Sequence, residues 1–210
     1  MKLACFDNDA KIVHTQEFIL ENQEETVVEI VNKNYRAILP NFEDWGFIKV
    51  ILDQHSANFL LDNLCKLEDT LSTLLIVRAF YDAIYDGKMK ATDFIDKMIE
   101  TKFLEKLFGN STLMDATMKF FSASLSYVHW RFRDEYGNKA FNEVTRLFMM
   151  AENLNDRTML RAKMVEYATT VKSIDTLKNL YEQNCSMNFT LSEKWDIVFK
   201  VNSSSLYSSV

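Results

Sequence analysis

Over its first fifty positions the chain alternates apolar and polar residues, and after that nearly every apolar residue recurs at helical spacing. Residues 3–6 form a short apolar run ended by Asp7, Asn8 and Asp9, a turn signal. Residues 11–20 alternate loosely through Ile12, His14, Phe18 and Leu20, and polar residues 21–25 then turn the chain into residues 26–31. Residues 35–39 and 47–52 read as the last two strands. Residues 41–46 lie between them as a hairpin-length loop, with Gly46 available for a positive φ. About four or five strands without a helix predict part of a small antiparallel sandwich.

The helical part is expected to open at Ser56, as cap of a first helix carrying Phe59, Leu60, Asn63, Leu64 and Leu67. Asp69 caps a second, from about Thr70 to Asp86, which stops at Gly87, a natural C′ glycine. That helix is apolar almost all round and is expected to be covered on both sides. Thr92 starts a third, extended or followed by a short helix through Phe103, Leu104 and Leu107. Met114, Met118, Phe121, Leu125, Val128 and Phe132 mark one face of a fourth. Ala140, Val144, Leu147 and Ala151 mark a fifth, Leu160, Met164, Tyr167 and Val171 a sixth, and Ile174, Leu177, Leu180 and Tyr181 a seventh. Thr190 with Glu193 is a capping box for an eighth, which bears Trp195, Val198 and Phe199.

Short polar links between helices imply antiparallel neighbours, in a bundle or an irregular α-solenoid. The expected fold is mainly α: an antiparallel helical array preceded by a small antiparallel β-sandwich segment. Residues 1–53 are the partial sandwich, 54–201 the helical domain and 202–210 a frayed tail.

Composition supports this division. One proline and four glycines suit helices with short connections. A net charge of −6, with dispersed basic residues, argues against a nucleic-acid partner. Cys5, Cys65 and Cys185 lie far apart and form no CxxC pair, so they read as free thiols in a reducing compartment, the cytoplasm. No uncharged run approaches the ~18 residues that a membrane span needs, so no membrane partner is expected.

The sequence carries no recognisable catalytic, cofactor-binding or metal-ligating residue. His14, His55 and His129 are too separated for a His-Glu-x-x-His zinc site, and the four glycines are too scattered for a phosphate loop or a nucleophile elbow. Arg78, inside the apolar second helix, has two readings: a partner for a buried anion, or, as favoured here, an ion pair with Asp82 one turn on or with a neighbouring helix. Residues 129–133 (His-Trp-Arg-Phe-Arg) interleave basic and aromatic side chains as a nucleic-acid contact would. The favoured reading sets cations at a helix C-terminus, with Phe132 continuing the buried stripe.

Residues 36–53 carry more than composition. A strand, Leu39-Pro40-Asn41, a short acidic loop, Gly46-Phe47, Val50, Leu52-Asp53 and then at once a helix resembles the zinc aminopeptidases of the aminopeptidase N type. Residues 64–87 and 90–96 are similar to the first helices of that family's C-terminal domain, and residues 6–13 to a strand-turn-strand of its sandwich. The resemblance implies an exopeptidase that removes N-terminal amino acids. Its zinc would be held by His-Glu-x-x-His and a later glutamate, and the substrate amine by a Gly-x-Met-Glu-Asn strand, none of them in this chain. The zinc therefore belongs to an absent catalytic domain, and this chain needs no cofactor of its own. What the resemblance assigns here is architectural: a spacer sandwich and a helical lid over the peptide cavity. The implied partners are that catalytic domain and peptide substrates, with self-association through truncated edges. The alternative is a stand-alone α-solenoid interaction module.

Overall fold

β1 (Lys2–Phe6) is the centre of a three-stranded antiparallel sheet, flanked by β2 (Ile12–Glu17) and β3 (Ala37–Pro40) in the order β2-β1-β3. In a computed structural model, residues 1–20, 24–30, 34–183 and 187–207 are described, the side chains of the last stretch through residue 203. β1 is apolar and buried on both faces, as a central strand requires, whereas β2 alternates half-buried and exposed residues, as an edge strand can. A bulge between Cys5 and Phe6 shifts the β1–β2 register.

The other expected strands do not form. Residues 26–30 carry no ladder, and residue 31 lies outside the described residues. The Gln16 amide donates to the Glu29 carbonyl at 3.0 Å, but Val27 stays exposed, so this alternation has no apolar surface to cover. Residues 47–52 are also unpaired: Phe47 is fully exposed and only Val50 is buried.

The helices are α1 (Gln54–Asp62), α2 (Thr70–Tyr85), α3 (Ala91–Glu100), α4 (Phe103–Lys106), α5 (Ser111–Leu125), α6 (Arg133–Met150), α7 (Leu154–Tyr167), α8 (Val171–Gln183) and α9 (Leu191–Tyr207). The first cap is Asp53 rather than Ser56, and Ser56 is the residue whose amide it accepts, at 2.9 Å. Asp69 caps α2 as expected, accepting from the Ser72 amide at 2.7 Å. α2 ends at Gly87, with φ at 69°: the Lys88 amide donates to the Ala83 carbonyl and the Gly87 amide to that of Ile84, the paired bonds of a Schellman turn. α3 starts at Ala91, before Thr92, with no side-chain cap.

α5 stops at Leu125 instead of running to Phe132, and a 3₁₀ turn (Trp130–Phe132) intervenes before α6. The Ser124 and Ser126 hydroxyls bond back to the carbonyls of Phe120 and Ala123, drawing the last turn closed. Val171 begins α8 rather than ending α7, because Thr170 and Ser173 cap reciprocally: each amide donates to the other's hydroxyl, at 3.0 and 3.2 Å. The expected tail is helical as far as Tyr207, with the Ser203 hydroxyl donating to the Phe199 carbonyl at 2.8 Å.

The chain divides into two compact units, Met1–Lys106 with Ala116–Tyr127, and Leu107–Asp115 with Val128–Val210. In the first, Phe6, Leu39, Leu60, Ile76 and Phe94 are fully buried, and Phe80 meets Phe94 at 6.1 Å between ring centroids. In the second, Phe141, Leu147, Leu160, Met164 and Leu177 form the core.

A buried ion pair crosses the second unit. Arg161 Nε of α7 donates to both Glu193 oxygens of α9, at 3.1 and 2.9 Å, and its Nη1 donates to the Met187 carbonyl at 3.3 Å. Glu193 also accepts from the Thr190 amide at 2.6 Å, closing the capping box that the sequence announced. Removing one partner strands a charge away from water, so Arg161→Ala should lower stability by about 3–5 kcal/mol. Urea unfolding of Arg161→Ala beside the double variant Arg161→Met/Glu193→Gln checks this, and the double variant should recover much of the loss.

Candidate functional site

The junction from Pro40 to Ser56 is where the resemblance concentrates, and its geometry follows from its residues. β3 is an edge strand, so Pro40 at its end costs no ladder bond. Asn41 is only 1% exposed and adopts the left-handed region at φ 58°, which asparagine tolerates. Its Oδ1 accepts from the Gly46 amide at 2.9 Å, and its Nδ2 donates to the Gly46 carbonyl at 2.8 Å and to Asp44 Oδ1 at 3.2 Å. One side chain thus closes residues 41–46 from inside.

The expected positive φ at Gly46 falls elsewhere, on Asn41, Glu43 (65°) and Asp44 (54°). The last two lie in the 3₁₀ turn Phe42–Asp44, and Lys2 and Trp45 hold Glu43 in place through bonds of 2.8 and 3.1 Å. Those bonds, the Lys2 one foremost, keep the Glu43 carboxyl below its ordinary range. Further on, the Ser56 hydroxyl donates to Asp53 Oδ2 at 2.5 Å and accepts from the Ile38 amide at 3.0 Å. The start of α1 is therefore fastened to β3 through Ser56.

The other candidates separate. Arg78 is half-exposed and lies 4.0 Å from Asp82 Oδ2, so the ion pair stands and the buried-anion reading falls. In residues 129–133 neither half of the favoured reading holds. Trp130 and Phe132 are 68% and 48% exposed, and Arg133 opens α6 instead of closing α5. The Arg131 guanidinium lies 5.4 Å from the Trp130 ring centroid, and His129 Nδ1 accepts from the Arg131 amide at 3.3 Å, so the turn is held by its own members.

His14, His55 and His129 lie on β2, in the first turn of α1 and before the 3₁₀ turn. Among the described residues no group of three or more His, Cys, Asp or Glu could hold a metal ion, so the three histidines do not come together as zinc ligands. Cys5 is buried and Cys65 half-buried, both free, while Cys185 lies outside the described residues. No described helix is long and apolar enough to cross a membrane.

No model of a known protein family matches the chain, and a comparison with curated proteins finds no match. The class defined by the fold is a mainly α protein with a small antiparallel sheet at its N-terminus.

Two measurements probe the junction. Asn41→Gly keeps the left-handed conformation but deletes three hydrogen bonds, and should cost about 2–3 kcal/mol in urea unfolding. Asp53 is drawn upward by burial, but hydrogen bonds from the Ser56 hydroxyl and amide outweigh this and hold its pKa below the usual aspartate value. A depressed carboxyl stabilises the fold above the unfolded pKa of ~3.9, and that stability is lost as pH falls through the lower folded value. The melting temperature of Asp53→Asn should therefore depend less on pH between about 4 and 2 than that of the parent chain.

Proposed function

We propose that this chain is the non-catalytic spacer and helical lid of a zinc aminopeptidase of the aminopeptidase N type. In this reading it acts in the cytoplasm and encloses the peptide cavity of a catalytic domain encoded in the same polypeptide. The observation that carries the reading is the junction: a strand closed by Pro40 and Asn41, an acidic turn, and a helix fastened back to that strand through Ser56. Its polar groups are largely spent on one another, which suits a part that positions other parts. The zinc, the general base and the amine anchor would all come from the catalytic domain.

A second reading, a stand-alone α-solenoid interaction module, is favoured by one feature. Leu191, Trp195 and Phe199 form an exposed apolar row on α9 at i, i+4, i+8 spacing.

Sequencing the transcript upstream of Met1 separates the two. An in-frame Gly-x-Met-Glu-Asn followed by His-Glu-x-x-His is the outcome expected for the lid, whereas an upstream stop codon without those segments favours the module. Neither reading allows the purified 210-residue chain to release an aminoacyl fluorophore in the presence of zinc, and such release would overturn both. The isolated chain should also self-associate through its exposed apolar rows. Sedimentation velocity over a concentration series checks this, and a monodisperse monomer throughout would count against it.

A further inference from the structure

An open, surface-facing cavity of about 440 Å³ lies on the second unit, beside the link between α7 and α8. Val171 and Ile174 of α8 and Phe199 of α9 give it an apolar wall, and Phe199 is 73% exposed. Lys200 and Asp134 stand in the same wall. The Lys200 ammonium donates to the carbonyls of Ala168 at 2.9 Å and Glu166 at 3.2 Å, which leaves one of its three N–H groups without an acceptor among the described residues. Burial lowers its pKa, against an upward pull from Asp196 and Glu166. Asp134 is exposed and, among the described residues, has no hydrogen-bond or ion-pair partner. Thr170, also in the wall, has its hydroxyl committed to Asn138 and Ser173.

Capping the end of α7 accounts for two of the Lys200 bonds. It does not account for an opposite charge and an apolar wall around the same space. A simple anion would meet Asp134, a simple cation would meet Lys200, and a hydrocarbon would make use of neither charge. A ligand carrying both charges beside an apolar group answers all three features, and the volume lies in the range of small-molecule sites. We propose that this cavity binds an α-amino acid with an apolar side chain. Its carboxylate accepts from Lys200, its ammonium pairs with Asp134, and its side chain packs on Phe199, Val171 and Ile174. The proposal stands on this cavity alone and is independent of the aminopeptidase reading.

Isothermal titration of the full chain with L-phenylalanine and L-leucine is the test. Both should bind, whereas N-acetyl-L-phenylalanine, phenethylamine and glycine, each lacking one of the three features, should bind at least about tenfold more weakly. Asp134→Asn should weaken L-phenylalanine by about tenfold and leave N-acetyl-L-phenylalanine unchanged, a contrast that a loss of folding would not produce. Phe199→Ser should erase the preference over glycine. Because Lys200→Met also removes a cap from α7, Lys200→Arg is its control and should retain binding. Absence of heat with L-phenylalanine at about 10 mM, equal binding of the blocked analogues, or no effect of Asp134→Asn would overturn the proposal.

Discussion

The structure depends on one recurring bond, from an orphan amide in a helix's first turn to a side-chain oxygen placed just before the helix. With one proline and four glycines, the chain has few of the residues that ordinarily turn a backbone. Its corners are made by capping instead. Asp53, Asp69, Asn110, Asn153, Thr170 and Thr190 each accept from an amide three residues on. Each such bond is worth roughly 1 kcal/mol. Their larger effect is to fix where a helix begins, and hence which face of it meets the core. The same scarcity puts Asn41, Glu43, Asp44 and Lys102 at positive φ, where glycine would be the unstrained choice.

Capping also joins elements that are distant in sequence. The Ser56 hydroxyl serves the Asp53 cap and the Ile38 amide together, so one side chain sets the first helix against the sheet. Glu193 does the equivalent in the second unit, serving the Thr190 box and Arg161 together. Asp156 is a third case: its amide completes the Asn153 cap, and its Oδ2 accepts from the Gly109 amide at 3.0 Å. In each case a group needed locally is reused to specify tertiary contact, so its loss should be felt at both levels.

This pattern explains what could be read in the sequence. The Asp69 cap, the Gly87 stop and the Thr190–Glu193 box are local and chemically specific, and all three were legible. Ser56 was legible as a capping residue but off by one turn, because Asp53 and Ser56 are both good caps and only the Ile38 contact decides between them. Residues 26–30 and 47–52 alternate without pairing because alternation records a side chain's preference, not the presence of a partner strand. The stripe ending at Phe132 failed likewise, since helical spacing continued past serines that closed the helix at Leu125. Of the cavity, the sequence displayed only the parts. Asp134 and Lys200 are sixty-six positions apart by number, and no local pattern could bring them together.

Exposure on α9 differs in kind from the exposure around the sheet. Ile19 with Leu20, Val27, and Phe47 with Ile48 are exposed on irregular segments and line up on no single helical face. Leu191, Trp195 and Phe199 are successive turns of one long helix whose opposite face is already committed through Glu193, Ile197 and the half-buried Lys200. A helix apolar on one face and anchored on the other normally has a neighbour on both. The lid reading supplies that neighbour from the same polypeptide, and the module reading supplies it from another chain. Phe199 also belongs to the cavity wall, so covering the row and filling the cavity would both take the same side chain out of water. That surface leaves water only once, so the two events would share the contribution of Phe199 and neither would gain it in full after the other.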